Sequence, residues 1–475
     1  MKILLTGATG YIGKRLLPQL VRMGHQVVCC VRDQNRFEPP SSLTEHISVV
    51  EVDFLKEETL ANIPKDIDAA YYLIHSMSGA DDFSEMEKKS AQHFRKSLEG
   101  SKVQQVIYLG GIINNEVLSK HLLSRKVVED ELRKGDYHFT ALRAGIIIGS
   151  GSASFEIIRD LVEKLPLMIA PRWLKTRCQP IAIRDVMSFL SKSLFQESAY
   201  DSHFDIGGPD VLTYKEMLLG YAQNRELNRH IWTVPVMTPK LSSYWLFFVT
   251  STSYKLASAL VDSMTVEVIC QPNPLAKNLQ IAPLNYQQSL DAAFTKIESN
   301  EVISSWKDSL ISGRFENNLS EYIKIPTHGC FVDQRKTPIV DEEKVLNRIW
   351  AIGGSTGWYY GNRLWKIRGF MDKMVGGVGL RRGRTHPGTI HSGDSVDFWR
   401  VLYAKREDKR LLLYAEMKVP GDAWLEFKIE DSCLIQTATF RPKGIWGRLY
   451  WYSVYPFHGP IFGGMLRKLA DTSSS

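Results

Sequence analysis

Over the first 210 residues, short apolar runs alternate with longer stretches whose apolar residues recur at helical spacing. The runs 2–6, 26–31, 47–52, 69–74, 104–109, 138–142 and 203–206 predict strands. The stretches 13–22, 57–62, 84–98, 119–134, 154–164 and 184–196 predict helices between them. Strands regularly separated by helices predict a parallel sheet with right-handed crossovers. The strands are apolar nearly throughout, as a sheet covered on both faces requires. Residues 213–300 are mostly helical and apolar, punctuated by Pro235, Pro239, Pro272, Pro274 and Pro283. They are expected to form a lobe on the substrate side of the sheet, with 244–250 (YWLFFVT) as core or pocket wall. Acidic and polar residues cluster with Pro326 and Pro338 over 301–345, which predicts a linker. Beyond it, 396–404, 410–417, 423–429 and 434–441 follow one another with short turns, an antiparallel meander, and 446–470 has helical spacing. The expected class is α/β. A doubly wound parallel sheet spans 1–212 with its lobe over 213–300, and an α+β domain with an antiparallel sheet spans 346–475.

Composition narrows the class of protein without changing that outline. The chain has 475 residues, 44% of them apolar and 23% charged, the profile of a folded protein of several domains. Six cysteines, at 29, 30, 178, 270, 330 and 433, have no metal-ligand spacing and read as reduced thiols of a cytoplasmic protein. The first apolar run is too short for a signal peptide and ends in glycines. No run reaches the ~18 apolar residues of a membrane span; the nearest, 449–466, is broken by two prolines and a histidine. The net charge of +7 lies in the last third: 26 basic and 19 acidic residues follow position 300, and the first 300 residues are balanced. A basic, aromatic-rich third leaves open a solvated face, an acidic ligand or peripheral contact with the inner face of a membrane. The excess is modest and no recognition motif accompanies it, so nucleic acid is not expected as a partner.

The chemistry begins at residues 6–13, Thr-Gly-Ala-Thr-Gly-Tyr-Ile-Gly, between the first strand and the first helix. That order aims backbone N–H groups and the positive helix end at a diphosphate. Gly7 serves the tight turn, Gly10 the close approach to phosphate, and Gly13 the packing of helix on strand. Thr9, Tyr11 and Ile12 complete the cofactor-binding turn. The second strand ends Val31-Arg32-Asp33. An arginine there accommodates a ribose 2′-phosphate and an acid takes the 2′-hydroxyl, so Arg32 favours NADP(H) while Asp33 keeps NAD(H) open. Asp53 is placed to accept from the adenine amino group and Phe54 to pack on the ring. Ile74, His75 and Ser76 leave the fourth strand beside the ribose and nicotinamide.

With these go the VDF at 52–54, LRAGIIIG at 142–149, QPIAIRDV at 179–186 and FDIGGPDVLTYKEM at 204–217. Together they resemble the atypical, extended-type short-chain dehydrogenase/reductases, most of all their NmrA-like, YbjT-like branch, over residues 1 to about 295. The resemblance implies an NAD(P)-binding Rossmann fold. Active members carry a Ser or Thr after the fifth strand and a Tyr-x-x-x-Lys on the next helix, the tyrosine as acid and the lysine as its pKa-lowering, ribose-holding partner. Here the fifth strand runs Tyr108-Leu109-Gly110-Gly111, with no hydroxyl at Gly110. Anchoring the helix on Glu129 and Leu132 sets His121 in the tyrosine's place and Arg125 in the lysine's. A slip of one residue offers Lys126 but leaves Leu122 in the acid's place. The usual triad is therefore expected to be missing and the catalytic residues unknown, with His121, His75 and Tyr108 as remaining proton-donor candidates. Gly110 and Arg125 are retained as cofactor-binding positions.

The last third carries GDSVDFWRV (393–401), LLLYAEMKVPGDAWLEF (411–427), QTATFRPKGIWGRLYWY (436–452) and FHGPIF (457–462). It resembles the domain of unknown function fused to such proteins, and through it the helix-grip (START-like, SRPBCC) folds. That resemblance implies a sheet wrapped on a long helix about an apolar cavity, with Trp399, Met417, Trp424, Phe427, Trp446, Tyr450 and Trp451 as candidate lining. The loop 376–384, with Arg381, Arg382 and Arg384, is a candidate anion nest or a solvated turn. No metal motif, nucleophile elbow or Walker lysine occurs. Two readings follow. One is an NADP(H)-dependent reductase of a bulky apolar carbonyl or quinone-like compound. The other is a nucleotide-binding sensor or accessory protein whose second domain meets a lipophilic ligand, a membrane surface or a partner. The family offers precedents for the second reading in NmrA-like sensors and a complex I accessory subunit.

Overall fold

Tyr71 and Tyr72 are adjacent on one strand, and their side chains leave it on opposite faces. The Tyr71 hydroxyl donates to the Leu190 carbonyl at 2.9 Å, and the Tyr72 hydroxyl to Ser90 Oγ at 3.1 Å. That period-two alternation buries both faces of a sheet between two layers of helix. The computed structural model describes residues 1–34, 37, 41–74, 83–113, 120–234, 261–298, 330–354, 356–374, 379, 390, 394–442 and 444–471. The chain divides into two compact units, 1–34 with 39–313 and 35–38 with 314–475.

In the first unit the elements follow as β1 (Lys2–Thr6), α1 (Tyr11–Arg22), β2 (Gln26–Val31), β3 (Ile47–Glu51), β4 (Ala69–Tyr72), α2 (Phe83–Leu98), β5 (Gln105–Gly111), α3 (Lys120–Leu132) and β6 (His138–Ala144). Next come β7 (Ile147–Ile148), α4 (Ala153–Lys164), β8 (Leu167–Pro171), β9 (Arg177–Cys178), β10 (Ile181–Ala182), α5 (Ile183–Lys192) and β11 (Ser202–Ile206). Among the described residues the main sheet has seven strands in the order β11-β6-β5-β4-β1-β2-β3, and every pair is parallel. The order reverses between β1 and β4, the switch point at which doubly wound sheets open a ligand crevice.

The lobe adds β12 (Leu212–Thr213), α6 (Tyr214–Asn224), β13 (His230–Val234) and α7 (Tyr286–Glu298). Thr213 and Glu216 cap α6 reciprocally, which satisfies two backbone donors at its start. Phe155, Tyr221 and Phe294 join α4, α6 and α7, with ring centroids 5.3–6.0 Å apart. Residues 244–250, expected as pocket wall, lie outside the described residues.

The second unit runs β14 (Phe331–Pro338), α8 (Glu342–Trp350), α9 (Asn362–Met374), β15 (Ser395–Val396), β16 (Trp399–Lys405), β17 (Arg410–Ala415), β18 (Gly421–Glu430), β19 (Cys433–Pro442) and α10 (Gly444–Ala470). Its antiparallel sheet has the order β14-β19-β18-β17-β16-β15. Two expectations need correction here. The stretch 330–345 read as linker is instead an edge strand and the start of α8. Its polar sequence is that of an edge, with half-buried and exposed residues in strict alternation over 331–338. The strand expected at 396–404 is folded in two. Asp397 adopts a left-handed conformation, φ +55°, and β15 turns back on β16. The Trp358 indole N–H donates to Asp397 Oδ2 at 2.8 Å and holds that turn.

Candidate nucleotide-binding site

The crevice between β1 and β4 is closed at its floor by one hydroxyl. Thr6 Oγ1 donates to the Tyr71 carbonyl and accepts from the Leu73 N–H, each at 3.0 Å. Above it the chain turns through Gly7 at φ +66°, where a β-carbon would stand 2.8 Å from the Leu73 oxygen. Gly10 donates back to the Gly7 carbonyl at 2.9 Å and becomes the N-cap of α1 with no side-chain cap. A β-carbon at Gly13 would lie 2.2 Å from the Gly7 oxygen, so the helix sits directly on the turn. Helix α1 starts at Tyr11 directly after this turn, and its N-terminal end is positive. Thr9 is half-buried at the crest of the turn. Tyr11 offers only its backbone. Its ring lies under the Arg15 guanidinium at 4.4 Å and its hydroxyl is turned toward Gly149. Burial pushes that hydroxyl up to about 12.

At the end of β2, Arg32 is exposed and Asp33 is buried. Asp53 is half-buried and its Oδ1 accepts the Leu55 N–H at 3.1 Å. Phe54 does not lie on an adenine ring. It is buried in the sheet core against Phe94, centroids 5.7 Å apart, on the side that Val52 shares by period two. Its carbonyl meets His93 Nδ1 at 2.8 Å.

Beyond β4, Ile74 is half-buried at the crevice edge, while His75 and Ser76 lie outside the described residues. Gly110, at the end of β5, is buried, and a β-carbon there would touch the Tyr108 ring at 2.8 Å. Tyr108 is turned into the core. Its hydroxyl donates to the Arg125 carbonyl at 3.3 Å, and burial, opposed by Arg125, pushes it up to about 12. Arg125 Nη1 donates to the Leu109 carbonyl at 3.3 Å, and its buried Nε has no partner among the described residues. The His121 side chain is outside the described residues. The uncapped helix end, the glycine cradle, exposed Arg32 and the spare donor of Arg125 are the groups a dinucleotide would use, so the site fits one.

In the second unit a narrow cleft between the sheet, α9 and α10 encloses about 40 Å³, room for a water or two. Trp399, Trp424, Tyr450 and Trp451 are among the residues that line it. Met417 and Phe427 are core instead, and Trp446 stands on the surface, 73% exposed. The indole nitrogens of Trp365 and Trp399 are buried without partners among the described residues. Of the loop 376–384 only Gly379 is described; its N–H donates to Asp372 Oδ2 at 2.8 Å.

Residues 7–163 match the family model described as NAD(P)H-binding. The first unit holds an NAD(P)-binding Rossmann domain. Residues 327–465 match the model "Protein of unknown function (DUF2867)". Curated relatives include the divinyl chlorophyllide a 8-vinyl-reductase of Zea mays, 21% identical over 44% of this chain and 55% of that one. Another is the mitochondrial NADH dehydrogenase [ubiquinone] 1 alpha subcomplex subunit 9 of Arabidopsis thaliana, 23% identical over 47% and 58%. The chain thus spans little more than half the length of the curated relatives it matches. Among solved structures, the Citrobacter sp. triphenylmethane reductase complexed with NADP(H) overlays at TM-score 0.50, 14% identical, over 62% of this chain and all of that one. A nucleoside-diphosphate-sugar epimerase of Staphylococcus aureus also overlays at 0.50, 16% identical, over 61% and 99%. These likenesses concern the fold.

The Rossmann domain is locked by polar residues that its motifs contain but that sequence reasoning did not single out. Arg143 on β6 forms a two-pronged ion pair with buried Glu129 on α3. Gln179 bridges two segments, donating to the Gly208 carbonyl at 2.7 Å and accepting the Cys270 N–H at 2.9 Å. Buried Asp185 accepts the Leu284 N–H at 2.7 Å and pins the returning chain. On β11, Asp205 Oδ2 accepts the Gln271 N–H at 2.9 Å, and burial raises this carboxyl above the usual range. The signal for all four is a charged or amide residue inside an otherwise apolar strand-end motif.

Proposed function

We propose that the protein is an NADP(H)-binding oxidoreductase that reduces a bulky apolar carbonyl or quinone-like compound without the usual Ser-Tyr-Lys set. The observation that carries the reading is the glycine turn, with an uncapped helix end beside exposed Arg32 and buried Asp33. The diphosphate takes the glycine turn and the positive end of α1, Arg32 the 2′-phosphate, Asp53 the adenine amino group, and Arg125 the nicotinamide ribose. Bound NADPH supplies the reducing equivalent. The chain's part is to position the substrate over the β4–β5 ends and to exclude water. Gly110, with no hydroxyl, and Tyr108, turned inward, leave the proton donor to be found at His75, His121 or the substrate's own solvent. The working units are the Rossmann domain over 1–212 with its lobe to 300, acting in the cytoplasm.

That same missing hydroxyl supports a second reading, a nucleotide-binding sensor or accessory protein whose helix-grip-like second unit holds a lipophilic ligand. The partnerless indole donors of Trp365 and Trp399 favour it, although a cleft of about 40 Å³ must open to admit anything larger than water. One experiment separates the two. NADPH and NADH are titrated by fluorescence, and oxidation of the tighter one is followed with a panel of quinones and hydrophobic ketones. Turnover on any of them supports the reductase. Tight binding without turnover supports the sensor, and failure to bind either nucleotide removes both.

A further inference from the structure

Two neighbouring helices of the second unit each carry an exposed apolar stripe besides the face they bury. Toward each other, α9 and α10 present Trp365 and Arg368 against Phe462 and Tyr450. The Trp365 and Phe462 rings are 6.1 Å apart, and Arg368 Nη2 donates to the Tyr450 hydroxyl at 2.5 Å. Outward, α9 shows Ile367, Phe370, Met371 and Met374, spaced i, i+3, i+4, i+7, and all are exposed. The first half of α10 shows Ile445, Trp446, Leu449 and Tyr452, at i, i+1, i+4 and i+7, equally exposed. Phe370 is 61% exposed and Trp446 73%. Scattered apolar surface residues need no explanation, but stripes at helical period on adjacent helices mark an interaction face.

The charges around the stripes choose the partner. The sequence of α10 contains no Asp or Glu, and α9 contains only Asp372. That carboxylate is buried and accepts the Gly379 and Lys418 N–H groups. Arg363, Lys366 and Arg448 are exposed among the apolar positions. A second copy of the chain would set the same cations against each other. An anionic surface would neutralise them. No described helix is long and apolar enough to cross a membrane, so the face lies on a bilayer and does not span it. Trp446 and Tyr452 within the stripe suit the headgroup level. We propose that α9 and the first half of α10 dock this protein on an anionic lipid surface.

The test uses the full chain and does not depend on what the Rossmann domain does. Vesicles of phosphatidylcholine alone, and of phosphatidylcholine with about one-third phosphatidylglycerol, are sedimented with the protein at low and high salt. Binding is expected only to the anionic vesicles and is expected to weaken as salt rises. The double variant Phe370→Ser/Trp446→Ser and the double variant Arg363→Glu/Lys366→Glu should each lose about tenfold in vesicle affinity. Both should keep the parent's thermal unfolding and NADPH titration, since every altered residue is exposed and none lies in the nucleotide site. Should the serine variant fail to fold, the charge-reversal variant carries the test. The proposal is overturned by equal affinity for neutral and anionic vesicles, or by affinity unchanged in a folded variant. Absence of vesicle binding, with a dimer that the variants dissolve, overturns it too.

Discussion

The carbonyl oxygen of Gly7 occupies the place where a β-carbon of residue 13 would stand, 2.2 Å away. The turn and the first helix are thus fitted to each other through backbone alone. Gly13→Ala must push α1 off the turn, at a cost of about 1–3 kcal/mol. It should also weaken NADPH binding by at least about tenfold, because it displaces the helix end proposed to meet the diphosphate. Gly459→Ala, on a helix with nothing within 4 Å of the added carbon, should change stability by no more than about 1 kcal/mol. Thermal unfolding and a fluorescence titration of both variants check the contrast.

Arg32 is exposed where Asp33 is buried, and that difference predicts cofactor choice. Arg32→Ala should lose about tenfold or more in NADPH affinity through the missing charge-assisted contact to the 2′-phosphate. NADH, which lacks that phosphate, should change by less than about twofold. Equal losses for the two nucleotides, read in parallel titrations, would remove the preference for NADP(H).

The strand–turn–helix start was legible because its parts agree: an apolar run, glycines at fixed offsets, then helical spacing. The strands beyond it were legible because a sheet buried on both faces has few polar interruptions. Phe54 is core and not an adenine platform because period two sets it with Val52 on the core side, leaving the half-buried Asp53 on the other. The strand at 331–338 was hidden by its own polarity, since Asp333 and Arg335 pair with each other at 3.0 Å on a sheet edge. The fold at Asp397 left no trace in hydrophobicity, because the apolar run continues straight through a left-handed residue. Within the candidate site the backbone elements could be read, but the inward turn of Tyr108 could not, as it depends on the packing of α3 against β5.

Arg400 and Glu416 form an ion pair with both side chains fully buried, Nη2 reaching Oε1 at 3.0 Å. Removing one charge takes a buried ion-pair partner from the other. Arg400→Met should cost about 3–5 kcal/mol, whereas Arg400→Met/Glu416→Leu should recover most of that loss. Urea unfolding followed by tryptophan fluorescence reports mainly the tryptophan-rich second unit and reads this directly. A double variant no better than the single one would mean that the pair also anchors the local backbone.

His458 supplies a pH dependence whose sign can be worked out. It is buried on α10, edge-on to Trp451 and Phe462, with Nδ1 3.5 Å from Asp333 Oδ2. Burial lowers its pKa to about 4; the Asp333 carboxylate opposes the shift, while Arg368 and Arg335 add to it. The unfolded chain has a histidine near 6.5. Between these values the unfolded state binds the extra proton, so stability must rise with pH across the window. The contribution is complete above about 6.5 and is lost as pH falls toward 4, an effect of about 3 kcal/mol at most. His458→Phe keeps a ring in the aromatic cage and removes the titration. The stability difference between pH 7 and pH 4.5, from urea midpoints, should therefore be smaller in the variant than in the parent. A difference unchanged by the substitution would show that the imidazole is solvated enough to titrate normally, and would assign the acid sensitivity of the second unit to its carboxylates.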